Sequence, residues 1–513
     1  MPSAMRERPA MTAAMLERRL HWLSAGAVCS AAVGTVLSWA LAAYLPTIGR
    51  QACTVQMLLD IGPSWASPYI SGWPLLDTPE ARAAAYFLPV ITWTVLALGL
   101  CLTLLRHRQL VTRATTDALF RRALLMAPVC LLAMPLFTKD LWLSVGFGRM
   151  IAAGVNPYHT DLAAEFVRGL PIDLATYGER MTYGPLWATM AGAVAWLARG
   201  VPAADFLLTK AVFAAAWIGA LVALRAAGRA CCELHGALAV TLWGFLPAGV
   251  TLGVAEGHND IVLALFLSIW VWATVSRTDW ARPVALAGSI LTKYVTLPAA
   301  IIDLLTVPLS RKVNWRHYGV GALLAVLVSG LLFAVLLGNV SSLAATREMQ
   351  AWDWWTPDLA LVDVAAALGL YVDRWNVSVA MFLVGLGAVV FTCARIRKRH
   401  DVLGPLDAAE VAELLVVLLL VGHIWPWFVL WVLPPAVLLW DRWAGRVALA
   451  LLTAVPVLNV AWIAGQTGPM LGRRGPLVIP PHVMLYGLTL IALVASLALT
   501  HNALDHKWAP NHA

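Results

Sequence analysis

The chain has 513 residues, of which 60% are hydrophobic and only 12% are charged, and its mean hydropathy is +0.76. These values exclude an ordinary soluble globular protein, and apolar runs of about 17 to 25 residues, each long enough to cross a bilayer as a helix, recur along the sequence. The net charge of +8 does not indicate a nucleic-acid partner, because the basic residues form short clusters between the apolar runs. The composition therefore predicts an all-α polytopic membrane protein whose partners include membrane lipids and no nucleic acid.

The apolar runs predict about 12 to 14 transmembrane helices. If the basic clusters are cytoplasmic, the simple spans fall near residues 22–45, 84–105, 122–138, 203–224, 234–252, 260–276, 318–338, 377–395, 410–425, 427–440, 446–464 and 482–500. Two further apolar stretches do not fit as simple spans. Residues 183–200 are predicted to form a helix at the outer interface, and residues 283–309 are predicted to form two short helices broken near Lys293.

This topology divides the chain into three segments: an N-terminal two-helix membrane segment (1–121), a membrane module that carries the candidate chemistry (122–310), and C-terminal helices (311–513). The last segment includes a predicted outer loop at 339–376. Polar residues after outward-going helices are thereby expected to meet at one cleft in the outer leaflet, although they are far apart in sequence.

The stretch TKDLWLSVGFGRM (138–150) places charged residues directly after an apolar run. Asp140 begins a predicted amphipathic helix that lies along the membrane surface, with Arg149 among its more polar positions. Asp140 is a candidate general base. A carboxylate that only stabilises the positive end of the helix dipole is the alternative interpretation.

Two other polar clusters interrupt apolar runs. The motif EGHND supplies Glu256, His258, Asn259 and Asp260, which cost free energy at such a junction unless they meet water or partners. A polar turn capped by Asn259 or Asp260 is the alternative. Lys293, in LTKYVTLPAA, calls for an anionic partner or for snorkelling to the membrane surface, and Lys210 raises the same question near the outer end of its span.

Carboxylates beside cations at the outer leaflet suit one chemistry in particular. A carboxylate can deprotonate a hydroxyl, and a lysine or arginine can neutralise a phosphate. Because a phosphate ester is already a usable leaving group, one base and cationic stabilisation are enough for sugar transfer from a lipid-linked sugar phosphate. The acid pair of glycoside hydrolysis is not required.

Four segments, in the same order, resemble a known family: Asp140 with LWLSVGFGRMIAAGVNPY, MTYGPLW (181–187), EGHND (256–260) and AGSILTKYVTLPA. They are similar to the GT-C fold polyprenol-phosphate-mannose-dependent α-mannosyltransferases of bacteria, above all the MptB-type α-1,6-mannosyltransferases and the related glycosyltransferase family 87. The likeness covers about residues 120–310, with a weaker likeness in HIWPWFVLWVLPP (423–435).

The resemblance implies a GT-C fold with a catalytic aspartate in the first long outer loop, which Asp140 matches. It also implies sugar-binding elements that match Asn156, Tyr158, Tyr183, His258, Asn259 and Asp260. Many GT-C enzymes carry an acidic pair in that loop, whereas this chain has Lys139 beside Asp140. A metal-bridged site is therefore disfavoured, and neither a metal nor another cofactor is expected.

These observations together predict an integral glycosyltransferase of the inner (plasma) membrane with its active site on the periplasmic, extracytoplasmic face. It would transfer a hexose, with mannose as the first choice, from a polyprenyl-phosphate sugar to a glycan or glycolipid acceptor, with inversion to an α product. The residues expected to hold the donor phosphate are Arg149, Lys293 and Lys210.

Trp352 and Asp353, in the WDWW of the predicted outer loop, are candidates to bind the acceptor saccharide, and an interfacial aromatic belt explains the tryptophans equally well. Two alternative functions stay open. One is a lipid-linked saccharide flippase or other transporter, and the other is a glycan ligase or polymerase that uses polyprenyl diphosphate donors.

Overall fold

A computed structural model of the chain gives its fold. The structure describes residues 11–42, 79–135, 138, 140–170, 180–306, 313–336, 362, 365–366, 368–399, 403–416 and 426–449. Within these residues the regular secondary structure is helical and no strand is present. This is expected for a chain in lipid, where a helix satisfies its own backbone hydrogen bonds.

The N-terminal part is a long helix pair followed by short helices. Its elements are α1 (Ala13–Ala42), α2 (Pro79–Arg106), a 3-10 turn (Arg108–Leu110), α3 (Arg113–Ala123) and α4 (Met126–Leu131). The end of α1 supports the chain after α4, because Trp39 donates to the Leu132 carbonyl at 2.7 Å and the Met134 amide donates to the Ser38 hydroxyl at 2.9 Å. The first helix pair thus helps to fix the segment that leads to Asp140.

The central part is a packed group of helices. It comprises α5 (Asp140–Ala152), α6 (Ala164–Val167), α7 (Pro185–Ala198), α8 (Pro202–Cys231), α9 (Glu233–Gly244), α10 (Pro247–Val250), a π-helical turn (Thr251–Ala255), α11 (Asp260–Ser276), α12 (Ala281–Thr292), a 3-10 turn (Tyr294–Thr296) and α13 (Leu297–Thr306). Helix α8 packs against α9, α11, α7 and α4, so it lies at the centre of this group.

The C-terminal part that the structure describes comprises α14 (Trp315–Leu336), α15 (Arg374–Arg399), α16 (Gly404–Leu415), a 3-10 turn (Pro426–Phe428) and α17 (Val429–Ala436). Helix α17 packs against α11 and α16. This contact brings the aromatic stretch at 427–431 next to the polar junction at the start of α11.

Four described helices are long and apolar enough to cross a membrane: Ala13–Leu41, Leu88–Arg106, Pro202–Cys231 and Trp315–Val335. A fifth candidate is the pair Glu233–Gly244 and Pro247–Ala255, which is bent by 51°. The chain is therefore a polytopic membrane protein. The number of 12 to 14 spans stays a prediction, since the expected span at 482–500 and most of the span at 446–464 lie outside the described residues.

Three sequence predictions for individual elements need correction. The expected span at 122–138 is interrupted, because α4 ends at Leu131. In the expected span at 427–440, the end of a 3-10 turn is followed by an α-helix, α17, of only eight residues. Helix α5 does begin at Asp140, but it is not an amphipathic surface helix. Most of its 13 residues are buried, including both glycines, and a Cβ on Gly148 would overlap the Ala191 carbonyl of α7. Apolar and small residues on every side of a helix favour burial over an interfacial position.

The prediction of two short helices in residues 283–309 is confirmed. Helix α12 ends at Thr292, Lys293 is extended with φ −158° and ψ 127°, and the chain then re-enters helical structure. Pro298 lies in the first turn of α13, where a backbone N–H has no acceptor within the helix in any case. The break places Lys293 between two helix ends. The predicted helix at 260–276 matches α11.

Candidate functional site

An aspartate–histidine pair lies at the centre of the site. Asp140 is the first residue of α5, where its backbone N–H donates to the Thr138 hydroxyl at 3.0 Å. Its carboxylate Oδ2 accepts a hydrogen bond from His258 Nδ1 at 2.9 Å. The Asp140 side chain is 18% exposed and that of His258 only 1%. A carboxylate at a helix N-terminus, oriented by a buried histidine and open to one side, has the geometry of a general base.

A tight turn brings His258 to Asp140. The π-helical turn Thr251–Ala255 ends where the Glu256 amide donates to the Thr251 carbonyl at 2.8 Å, and Gly257 follows with φ +81°. A Cβ on Gly257 would lie 3.0 Å from the Leu141 Cβ. Glycine is needed here both for its backbone conformation and for the close approach to α5. π-helical turns are often found at functional sites.

A buried ion pair adjoins the Asp140–His258 pair, hereafter the dyad. Asp260 Oδ1 accepts from Lys293 Nζ at 2.9 Å and also from the Trp431 indole N–H. The Lys293 ammonium lies 5.1 Å from the Trp431 ring centroid, 5.2 Å from that of Phe428 and 5.8 Å from that of Tyr183. Its side chain is 18% exposed whereas Asp260 is fully buried. Lys293 is therefore a cation held by rings and one carboxylate, with part of its surface open.

The residues that sequence reasoning missed are the aromatic side chains of the C-terminal part. Trp427 stacks on the His258 ring with centroids 3.9 Å apart, and Phe428 stacks on Trp431 at 4.0 Å. The stretch HIWPWFVLWVLPP contains all three, but the sequence suggested it only as a weaker part of the family likeness. Nothing in its spacing indicated that it packs against a histidine more than 150 positions earlier.

Tyr183 is positioned by the loop that contains Asn156 and Tyr158. The Asn156 side chain accepts from the Tyr158 amide at 2.9 Å, and the buried Tyr158 hydroxyl donates to the Tyr183 carbonyl at 2.9 Å. Burial raises the pKa of Tyr158, so its hydroxyl stays protonated and donating. The next residue, Gly184, donates its amide to the Thr292 carbonyl at 2.9 Å, and a Cβ there would overlap the Leu291 carbonyl oxygen. Asn156 and Tyr158 thus help to position the backbone at Tyr183, which is bonded through Gly184 to the backbone next to Lys293.

Arg149 lies on α5 but is held by other protein groups. Its guanidinium donates to Asp205 Oδ2 from Nε at 3.0 Å and from Nη2 at 2.7 Å, and to the carbonyls of Phe166 and Arg168 at 3.2 and 2.8 Å. Asp205 is fully buried in α8. The structure therefore gives Arg149 partners other than the predicted donor phosphate, and these bonds join α5 to α8 and to the C-terminal end of α6.

Lys210 is also engaged within the protein. Its side chain is fully buried, and its ammonium donates to the backbone carbonyls of Ala133, Val254 and Ala255. An ammonium has three protons, so these three bonds use its donating capacity. The geometry leaves Lys293 as the better-placed cation of the two for a phosphate.

The remaining predicted residues are close to the dyad in sequence or lie outside the described residues. Glu256 is 8% exposed and Asn259 is 1% exposed. The side-chain amide of Asn259, His258 Nε2 and Asp260 Oδ2 have no hydrogen-bond partner among the residues that the structure describes. Trp352 and Asp353 lie outside the described residues. Within the described ranges, no three His, Cys, Asp or Glu side chains form a group suited to a metal ion.

A comparison against protein families gives a match over the region that contains the site. Residues 67–308 match the MptA/MptB family, described as alpha-(1->6)-mannopyranosyltransferase, N-terminal domain. This part of the chain is similar to that family. The match includes every residue of the Asp140–His258 and Asp260–Lys293 pairs. No curated protein matches the chain. The chain is thus a membrane protein in which residues 67–308 are similar to an α-mannosyltransferase family.

Proposed function

We propose that this protein transfers a hexose, mannose in the first instance, from a polyprenyl-phosphate sugar to a glycan or glycolipid hydroxyl. The reaction would take place at the extracytoplasmic face of the plasma membrane and would invert the anomeric centre to α. The observation that carries the proposal is the Asp140–His258 pair, in which a partly exposed carboxylate is held at 2.9 Å by a buried imidazole.

In the proposed step, Asp140 accepts the proton of the acceptor hydroxyl while the acceptor oxygen forms a bond to the anomeric carbon. The bond between that carbon and the phosphate oxygen breaks, and its electron pair leaves with the polyprenyl phosphate. The His258 N–H supports the carboxylate form that can act as a base. Attack from the face opposite the departing phosphate converts a β-linked donor into an α product.

Lys293 is our candidate to meet the negative charge that develops on the phosphate. It is 18% exposed, whereas the fully buried Lys210 donates to three carbonyls. The surrounding rings of Tyr183, Phe428 and Trp431 would exclude water and strengthen this interaction. Arg149 fixes α5 to α8 through its pair with Asp205.

The test measures transfer by purified protein in lipid, with radiolabelled mannose, glucose and arabinose each supplied on polyprenyl phosphate, and a mannoside acceptor. Asp140→Asn is the matched inactive variant, and Asp161→Asn is the control, because Asp161 is an exposed acid of the same region that pairs with Arg180. We expect transfer from one donor, and a roughly thousandfold loss only in Asp140→Asn.

Two outcomes would redirect the proposal. Exchange of a lipid-linked saccharide across the bilayer without product formation would identify a flippase. Transfer of a whole glycan from polyprenyl diphosphate, with no reaction of the monosaccharide donors, would identify a ligase or polymerase.

A further inference from the structure

Lys210 joins the two backbone segments that carry the catalytic pair. Its ammonium donates to the carbonyl of Ala133, which lies between α4 and Asp140, at 3.1 Å. It also donates to the carbonyls of Val254 and Ala255, the latter at 2.6 Å, which end the π-helical turn just before His258. One side chain thus contacts the approach to Asp140 and the approach to His258.

The backbone around this lysine needs such a donor. The Ala133 carbonyl follows the end of α4, and the carbonyls of Val254 and Ala255 stand at the end of the π-helical turn. Buried carbonyls without partners are costly, and helix ends leave several of them. A side chain from α8 supplies the donors, because α8 packs against both α4 and the π-helical turn.

A second line of contacts leads from Lys210 to α5. The ammonium lies 5.9 Å from the centroid of the Phe206 ring, and that ring stacks on Trp142 with centroids 5.6 Å apart. Trp142 follows Asp140 by two positions on the same helix. Lys210 is therefore linked through these ring contacts to the helix that carries the proposed base, and it also contacts the segment before that helix.

We propose that Lys210 is a positioning residue for the Asp140–His258 hydrogen bond. This inference rests on the proposed transferase reaction. Lys210 does not touch substrate in this role. It holds the two segments in the register at which His258 Nδ1 reaches the Asp140 carboxylate, and its loss would separate the pair without removing either member.

The test compares Lys210→Met, which keeps the length of the side chain but has no donor, with Lys210→Gln, which keeps an N–H donor. Thr241→Val is the control, because Thr241 is fully buried in α9 and its hydroxyl donates to the Ala237 carbonyl of its own helix. We expect a loss of turnover of about 100-fold in Lys210→Met at unchanged donor KM, partial recovery in Lys210→Gln, and no loss in the control.

Two readouts separate positioning from general stability. The acid limb of the pH–turnover profile is expected to move upward by about one pH unit in Lys210→Met, since a carboxylate that loses a hydrogen-bond donor is easier to protonate. In a His258→Phe background, Lys210→Met is expected to have little further effect on turnover, because the bond that it positions is already gone.

Hydrogen–deuterium exchange gives a readout that does not depend on transfer. In Lys210→Met, amides in residues 252–262 and in residues 140–145 are expected to lose protection together, while those of α9 keep theirs. Folded Lys210→Met with wild-type protection in either segment would overturn the inference, as would additive effects of the two substitutions on turnover. If neither Lys210→Met nor Lys210→Gln folds, the lysine serves the whole fold and the positioning role is refuted. Absence of transfer by the wild type with the expected exchange pattern would overturn the proposed function alone.

Discussion

At the scale of single residues, His258 offers the most informative substitution. His258→Phe keeps a ring that can stack on Trp427 but removes the N–H that binds Asp140. We expect turnover to fall by roughly 100-fold with a small change in melting temperature, because the base is no longer oriented. Steady-state kinetics and thermal unfolding of the same preparation measure both effects. Wild-type turnover in a folded His258→Phe protein would show that the histidine is not needed to orient Asp140.

Two substitutions can separate the contribution of Lys293 to stability from its proposed role in transfer. Lys293→Met leaves the buried Asp260 carboxylate without its cation, so we expect a loss of roughly 3 kcal/mol in the free energy of unfolding together with loss of transfer. Adding Asp260→Asn removes the uncompensated charge and is expected to restore much of the stability. It is not expected to restore transfer, because the phosphate still lacks a cation. Recovery of both quantities in the double variant would show that Lys293 only balances Asp260.

At the scale of elements, the turn at Gly257 decides whether α5 and α11 meet correctly. Gly257→Ala places a Cβ 3.0 Å from Leu141 on a backbone with φ +81°, whereas Gly200→Ala has a similar φ of +74° and no neighbouring atom within 4 Å. Both variants are expected to lose about 1 kcal/mol of stability from backbone strain. Only Gly257→Ala should also lose transfer, and equal transfer by the two would argue against the close approach as a requirement.

The contact between α3 and α8 is expected to make stability depend on pH. The Arg225 guanidinium hydrogen-bonded to Asp117 holds the pKa of that carboxyl below its usual value. A lowered pKa in the folded protein stabilises the fold above the unfolded pKa of about 4 and loses that effect as the pH falls through the folded pKa. Asp117→Asn should therefore lower the melting temperature by a few degrees at pH 7, and this difference should become smaller as the pH is lowered below about 4. An unchanged difference across this pH range would contradict this origin.

At the scale of the whole molecule, the sequence was most informative about polar residues within apolar segments, because few structural roles are open to such residues. Asp140, His258, Asp260 and Lys293 are polar groups in apolar surroundings, so the cost of desolvation predicts that each needs a partner, and the structure pairs Asp140 with His258 and Asp260 with Lys293. The break at Lys293 was also predictable, because basic loops flank both ends of the stretch and two short helices keep both ends on the cytoplasmic side.

The pairing of those residues was not predictable, because it depends on packing between distant segments. Trp427 and Trp431 lie in a stretch that showed only a weak family likeness, and their contacts with His258 and Asp260 depend on the packing of α17 against α11. Lys210 and Arg149 had the charge required of a phosphate ligand, but their surroundings in the fold are three backbone carbonyls and a buried aspartate. The burial of α5 was not predictable for the same reason, because it depends on the helices that pack against α5.

The most direct test of the central claim is the transfer rate of Asp140→Asn under single-turnover conditions with polyprenyl-phosphate mannose and a mannoside acceptor. The substitution retains the size of the side chain and an oxygen that can accept from His258, but the amide that replaces the carboxylate cannot take the proton. We expect a folded protein that transfers sugar roughly a thousand times more slowly than the wild type, with Asp161→Asn unaffected. Transfer at the wild-type rate by folded Asp140→Asn would contradict it.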